Sequence, residues 1–205
     1  ILTDVEAMSR GLLFWRSFTH WVGGMGILVF VIMLTKAPDR SINILKAEMP
    51  GPVIDKLVPK SQDTARILYT LYMGLTVIEI VFLLCGGMSL YESIVHTFGT
   101  AGTGGFGIKA DSIGSYSPYL QWVIAIFMLL FGINFNLYYV LLLHRAREFF
   151  KNAELRLYLA LVLVAAAVIT VNILPLYHSF SEALRLSVFQ VSSIITTTGY
   201  ATADF

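Results

Sequence analysis

Residues 112–144 contain no Asp, Glu, Lys or Arg, and neither do residues 157–181. Each run exceeds the ~20 apolar residues that carry a helix across a hydrocarbon core of ~30 Å, so a chain holding both is constrained to fold as helices in a bilayer. Composition agrees, since 57% of residues are hydrophobic and 13% charged, against roughly 25% charged in a soluble domain. Residues 17–35 are also free of these charges, and residues 67–87 are interrupted only by Glu79. The expected fold class is therefore an all-α integral membrane protein with four spans, at 11–35, 64–87, 118–143 and 155–176.

Basic residues set the topology. Lys36, Arg40, Lys46, Lys56, Lys60 and Arg66 occupy one connection, and Arg145, Arg147, Lys151 and Arg156 another. Clusters of this kind near span ends stay on the cytoplasmic side. If both connections are inside, the spans near 64–87 and 118–143 already supply the even number of crossings required between them. Residues 88–117 then leave the outer face and return to it, although 89–101 is apolar enough to be buried. A re-entrant short helix and loop satisfies this, because irregular backbone is tolerated at membrane depth only inside protein or beside a water-filled cavity.

The remaining organisation follows from local signals. Residues 1–10 are a polar lead-in, and the span at 11–35 carries Gly23, Gly24 and Gly26, which suit close helix packing. Residues 36–63, with Pro38, Pro50, Pro52 and Pro59, form a cytoplasmic connection, and Ser61 with Asp63 marks the start of the next helix. A short helix near 179–194 follows the last span. The single Cys85 excludes an internal disulfide, and no Cys/His cluster has metal-ligand spacing. With no initiator Met and no signal-peptide pattern, the chain is expected to be an internal piece of a longer protein.

Two loops repeat. T-G-G-F-G at 103–107 and T-T-G-Y at 197–200 each follow a short amphipathic segment, and setting Gly105 against Gly199 pairs Thr103 with Thr197 and Phe106 with Tyr200. The upstream acids do not keep this register: Glu92 lies thirteen residues before its glycine and Glu182 seventeen. The modules read helix, re-entrant loop, helix, then helix and re-entrant loop. A dehydrated alkali cation needs several oxygen ligands, and backbone carbonyls around a pore axis supply them without a trapping charge. Glycine permits that backbone by accepting φ > 0, and the preceding helix would point the negative end of its dipole at the cation. An ordinary Gly-rich turn between helices is the alternative for each loop taken alone.

At these residues the chain resembles the Trk/Ktr/HKT superfamily of potassium transporters, most closely its bacterial TrkH-type branch. The resemblance rests on F-W-R-S-F-T-H-W-V-G-G-M-G at 14–26, A-E-M-P-G-P at 47–52, H-T-F-G-T-A-G-T-G-G-F-G at 96–107 and F-Q-V-S-S-I-I-T-T-T-G-Y at 189–200. It implies repeats of helix, re-entrant pore helix with filter loop, and helix around one pore. Residues 1–35 would end repeat one, 36–63 connect, 64–143 form repeat two, 144–154 connect, and 155–205 carry repeat three as far as its filter. The implied ion-lining residues are Thr103, Gly104, Gly105, Phe106 and Gly107, then Thr197, Thr198, Gly199, Tyr200 and Ala201. Main-chain oxygens there would bind potassium around Gly105 and Gly199, with Phe106 and Tyr200 facing away as packing supports. No cofactor is expected, potassium being the transported ligand. The resemblance further implies a homodimer in the bacterial cytoplasmic (inner) membrane and a cytosolic nucleotide-binding regulatory subunit, with no nucleic acid partner.

Potassium uptake is thus the expected function. A sodium/potassium transporter of the same superfamily and a non-conducting structural membrane subunit are the alternatives. An enzyme is disfavoured, because Glu79, His20 and Cys85 are the spans' only chemically suited groups and lie in three separate regions. Glu79 is expected to be functional, to pair with a neighbouring helix, or to reach the interface. His20 and Asn134 read as hydrogen-bond partners between helices. Arg10 and Arg16 read as interfacial anchors, and Trp15, Trp21 and Trp122 as an aromatic belt.

Overall fold

The computed structural model describes residues 5–26, 61–177 and 179–203, with side chains from residue 66 onward in the first long helix. Eight helices are described: α1 (Arg10–Gly24), α2 (Ser61–Cys85), α3 (Leu90–Ala101), α4 (Pro118–Phe131), α5 (Phe135–Leu142), α6 (Ala146–Lys151), α7 (Ala153–Tyr177) and α8 (Phe180–Ile195). The connection at 36–60, including the A-E-M-P-G-P segment, lies outside the described residues.

Local chemistry sets most boundaries. Ser9 caps α1, its hydroxyl accepting from the Leu12 amide, and Ser117 caps α4 with Pro118 in its first turn. At α3, Ser89 and Glu92 form a reciprocal capping box. α2 stops at Cys85, where Gly87 adopts φ +87° and the Gly87 and Met88 amides return to the Leu84 and Leu83 carbonyls. The expected span at 11–35 is not one unbroken helix: α1 ends at Gly24, and Gly26 has φ +77°. Its remainder, 27–35, lies outside the described residues.

The expected helix at 118–143 is also broken. α4 and α5 meet at 87°, because Gly132 is a poor helix former and Asn134 serves as the N-cap of α5, accepting from the Asn136 amide at 3.0 Å. Two tyrosine hydroxyls reach carbonyls at the bend: Tyr158 donates to Leu129 at 3.2 Å, and Tyr138 to Leu130 at 2.7 Å, beside the Ile133 amide that the same carbonyl accepts at 3.2 Å. Among the described residues, α2 from Arg66 and α7 are each long and apolar enough to cross a membrane alone. The bent α4–α5 pair makes a third only if counted as one span.

Tertiary packing centres on α3, which lies against α1, α2 and α4, while α8 lies against α7 and α4. Trp21 is buried in this core rather than in an aromatic belt. Its ring stacks on Phe98 at 4.9 Å and Tyr72 at 5.7 Å, and its Nε1 donates to Thr76 Oγ1 at 3.1 Å. Within the G-G-M-G segment Gly24 fits close packing, since a Cβ there would meet the Tyr72 hydroxyl at 2.5 Å and the Ala101 carbonyl at 3.0 Å, whereas a Cβ on Gly23 would meet nothing within 4 Å. α7 buries only Leu155, Val162, Ala166 and Thr170. Its other faces, with Leu163, Val168 and Val171 exposed, suit lipid or further helices.

Candidate functional site

α3 and α8 deliver their C-termini to the two glycine loops, and the loops fold alike. After α3, the Gly104 and Gly105 amides both turn back to the Gly99 carbonyl, at 2.8 and 3.2 Å; after α8, the Thr198 and Gly199 amides both turn back to Ser193, at 2.9 and 3.4 Å. Thr103 (φ 52°) and Thr197 (φ 58°) share the left-handed region, as do Gly105 (φ 61°) and Gly199 (φ 85°). Gly105 and Gly199 are therefore structural equivalents. The slip between Glu92 and Glu182 has a simple origin. α8 spans 16 residues against 12 in α3, so one extra turn is added at the helix start while the loop ends stay matched.

The loops also touch. A Cβ on Gly105 would collide with the Thr198 carbonyl oxygen, so the absence of a side chain is required by contact as well as by φ. Tyr200 is fully buried behind the first loop, its hydroxyl 3.1 Å from the His96 carbonyl and 3.3 Å from the Phe106 carbonyl. Ser193 Oγ donates to the Tyr200 carbonyl at 2.6 Å. Ala201 pairs with the returning strand of chain, its amide donating to Ser112 Oγ at 3.2 Å and its carbonyl accepting from the Ile113 amide at 3.0 Å.

These bonds divide the ten residues. The carbonyls of Phe106, Gly107, Tyr200 and Ala201 already accept hydrogen bonds. Those of Thr103, Gly104, Gly105, Thr197, Thr198 and Gly199 receive none from the described residues, leaving two runs of three open oxygens beside the helix C-termini. Such oxygens, backed by the negative helix ends, present a field suited to a cation and carry no fixed charge.

Several supports escaped the sequence reading. Arg16, expected as an interfacial anchor, has a partner in the loop as well: its Nη2 donates to the Gly107 carbonyl at 2.8 Å, and its guanidinium lies 4.7 Å from the Phe106 ring centre. His20 bridges to the same loop, with Nδ1 3.3 Å from the Gly102 carbonyl and its ring edge-on to Phe106 at 4.8 Å. His96, fully buried, faces the hydroxyls of Tyr116 at 3.1 Å and Tyr200 at 3.4 Å. Arg16, His20 and His96 all stand within the quoted motifs, but spacing alone does not reveal that they converge on one loop. Asn134 does contact a neighbouring helix, its amide donating to Glu154 at 3.4 Å. Glu79 reaches no interface. It is wholly buried, and neither oxygen has a formed hydrogen bond. Thr100, the hydroxyl beside it, donates instead to the His96 carbonyl at 2.9 Å.

Comparison with known proteins supplies a context for this geometry. A family model described as TrkH, cation transport protein, matches residues 1–205. The chain is 33% identical to the Trk system potassium uptake protein TrkH of Salmonella typhimurium over 207 residues, covering 98% of this chain and 43% of that protein. It is 32% identical to the TrkH protein of Halomonas elongata, covering 100% of this chain and 44% of the relative. The crystal structure of the potassium transporter TrkH from Vibrio parahaemolyticus matches with a TM-score of 0.80 at 27% identity, over 97% of this chain and 41% of that one. The chain thus spans less than half the length of the relatives it matches.

Proposed function

The chain belongs to the TrkH family of cation transport proteins, and from that premise we propose that it forms part of a potassium uptake pore in the bacterial cytoplasmic membrane. The reading is carried by one observation, the two equivalent loops whose open carbonyls at 103–105 and 197–199 meet where Gly105 faces Thr198. In this reading those oxygens replace the hydration shell of potassium, while Phe106, Gly107, Tyr200 and Ala201 complete the filter as its braced outer part. Two loops enclose only part of a pore, and further loops of the longer protein close it.

The assembly has two further members in this proposal, a second copy of the protein and a cytosolic nucleotide-binding regulatory subunit docked on the basic inner face. Arg145, Arg147 and Lys151 are exposed there, which supports the docking surface. The test is ion flux through the intact protein in a potassium-uptake-deficient bacterium. Gly105→Ser and Gly199→Ser are expected to lower potassium-over-sodium preference at least about tenfold, a loss of roughly 1.4 kcal/mol in discrimination, with the protein still in the membrane. Unchanged preference at normal expression would sink the reading.

A further inference from the structure

We propose that Arg16 is a specificity-determining residue for this transport, holding the Gly107 carbonyl and setting a fixed positive charge at the outer mouth that excludes divalent cations. The inference rests on the potassium-pore reading above. Arg16 lies in the half of α1 remote from the connection at 36–60, which the basic residues place inside. It therefore sits towards the outer end of the first loop. Its Nη2 donates to the Gly107 carbonyl at 2.8 Å and its guanidinium covers the Phe106 ring at 4.7 Å. The group is always charged, and among the described residues no carboxylate lies within ion-pair distance of it. On the neighbouring segments, Glu92 caps α3 with Ser89 and Glu6 accepts from the Ala110 amide at 3.2 Å, while Asp111 makes no ion pair with Arg16.

A charge placed this way does two things. It holds the last carbonyl of the loop away from the ion path, because a charged donor binds a carbonyl more strongly than a neutral one. It also repels entering cations in proportion to their charge. At an effective dielectric of ~20 the repulsion scales with the charge of the entering ion, so a divalent cation meets twice the barrier of a monovalent one at the same point. Potassium pays the smaller penalty and regains it at the open carbonyls below.

The test is external Ba2+ and Mg2+ block of potassium flux in the intact protein. Arg16→Gln keeps an amide donor and removes the charge, so its half-blocking concentration should fall at least about tenfold, equivalent to ~1.4 kcal/mol. Arg16→Lys keeps the charge and should stay within about threefold of the parent by the same scale. Thr19, exposed one turn along α1, donates to the Arg16 carbonyl at 3.0 Å. Thr19→Glu leaves the guanidinium in place and offsets its field, so it should sensitise the pore in the same direction. Potassium flux with unchanged block in Arg16→Gln overturns the inference while leaving the transport reading intact, as does equal sensitivity of the Lys and Gln variants. If Arg16→Gln does not reach the membrane, unchanged block in Thr19→Glu overturns it. A parent protein without potassium flux defeats both readings together.

Discussion

The Tyr200 hydroxyl stands 3.3 Å from the Phe106 carbonyl, so a residue of the second loop braces the main chain of the first. The same hydroxyl lies 3.1 Å from the His96 carbonyl, in a site with no exposure to solvent. Tyr200→Phe keeps the ring and leaves the Phe106 carbonyl without its donor, while the His96 carbonyl keeps the Thr100 hydroxyl. Leaving a buried acceptor unsatisfied costs about 1–3 kcal/mol. A lower melting temperature in detergent and reduced potassium-over-sodium preference are expected together, and a variant with parental values of both would show that the bridge is idle.

Gly99 offers a sharper contrast. In an exposed helix, Gly→Ala gains about 0.8–1 kcal/mol. Here a Cβ would strike the Tyr200 hydroxyl and approach the Phe106 carbonyl at 3.1 Å. Gly99→Ala should therefore destabilise the protein despite its better helix propensity. Thermal unfolding decides the point, and an increase in melting temperature would contradict the packing described.

The bend between α4 and α5 is braced by a hydroxyl at one of its carbonyls. Tyr138→Phe removes the 2.7 Å bond to Leu130, whose carbonyl keeps the Ile133 amide, and should cost about 0.5–1.5 kcal/mol. Tyr139→Phe, one residue on, is the control, and equal melting temperatures for the two variants would rule out the capping role.

Glu79 makes no formed hydrogen bond from its fully buried carboxyl. Burying a polar group without a hydrogen bond costs free energy, and an apolar residue of similar volume removes that cost. Glu79→Met is expected to leave the melting temperature unchanged or raised. Any loss of flux in that stable variant then reports a functional demand on the carboxyl, whereas a fall in melting temperature of several degrees would reveal a hydrogen bond made in the membrane.

Much of the candidate site was legible in the residues themselves. T-G-G-F-G and T-T-G-Y align on Gly105 and Gly199, where glycine is the local mark of φ > 0; the left-handed Thr103 and Thr197 carry no such mark, because a β-branched residue disfavours that region. The start of α3 was equally readable in Ser89 and Glu92, since a capping box is a contact across three residues. The roles of Arg16, His20 and Tyr200 were not readable, because each acts on a carbonyl that is distant in sequence. Nor was the break at Gly132–Asn134. Hydropathy registers apolar length, whereas a bend depends on whether carbonyls at the break find donors, here Tyr138 and Tyr158.

The lipid solvent, the presence of helices and the glycine positions of the two loops are written in the residues, because apolar length, helix periodicity and glycine's tolerance of positive φ belong to a few neighbouring residues. Packing sets Gly105 against Thr198 and ties down four loop carbonyls, while six receive no donor among the described residues. Hydrogen-bond direction at a carbonyl is set by which donor arrives within about 3 Å, and those donors are brought there by the packing of α1, α3 and α8.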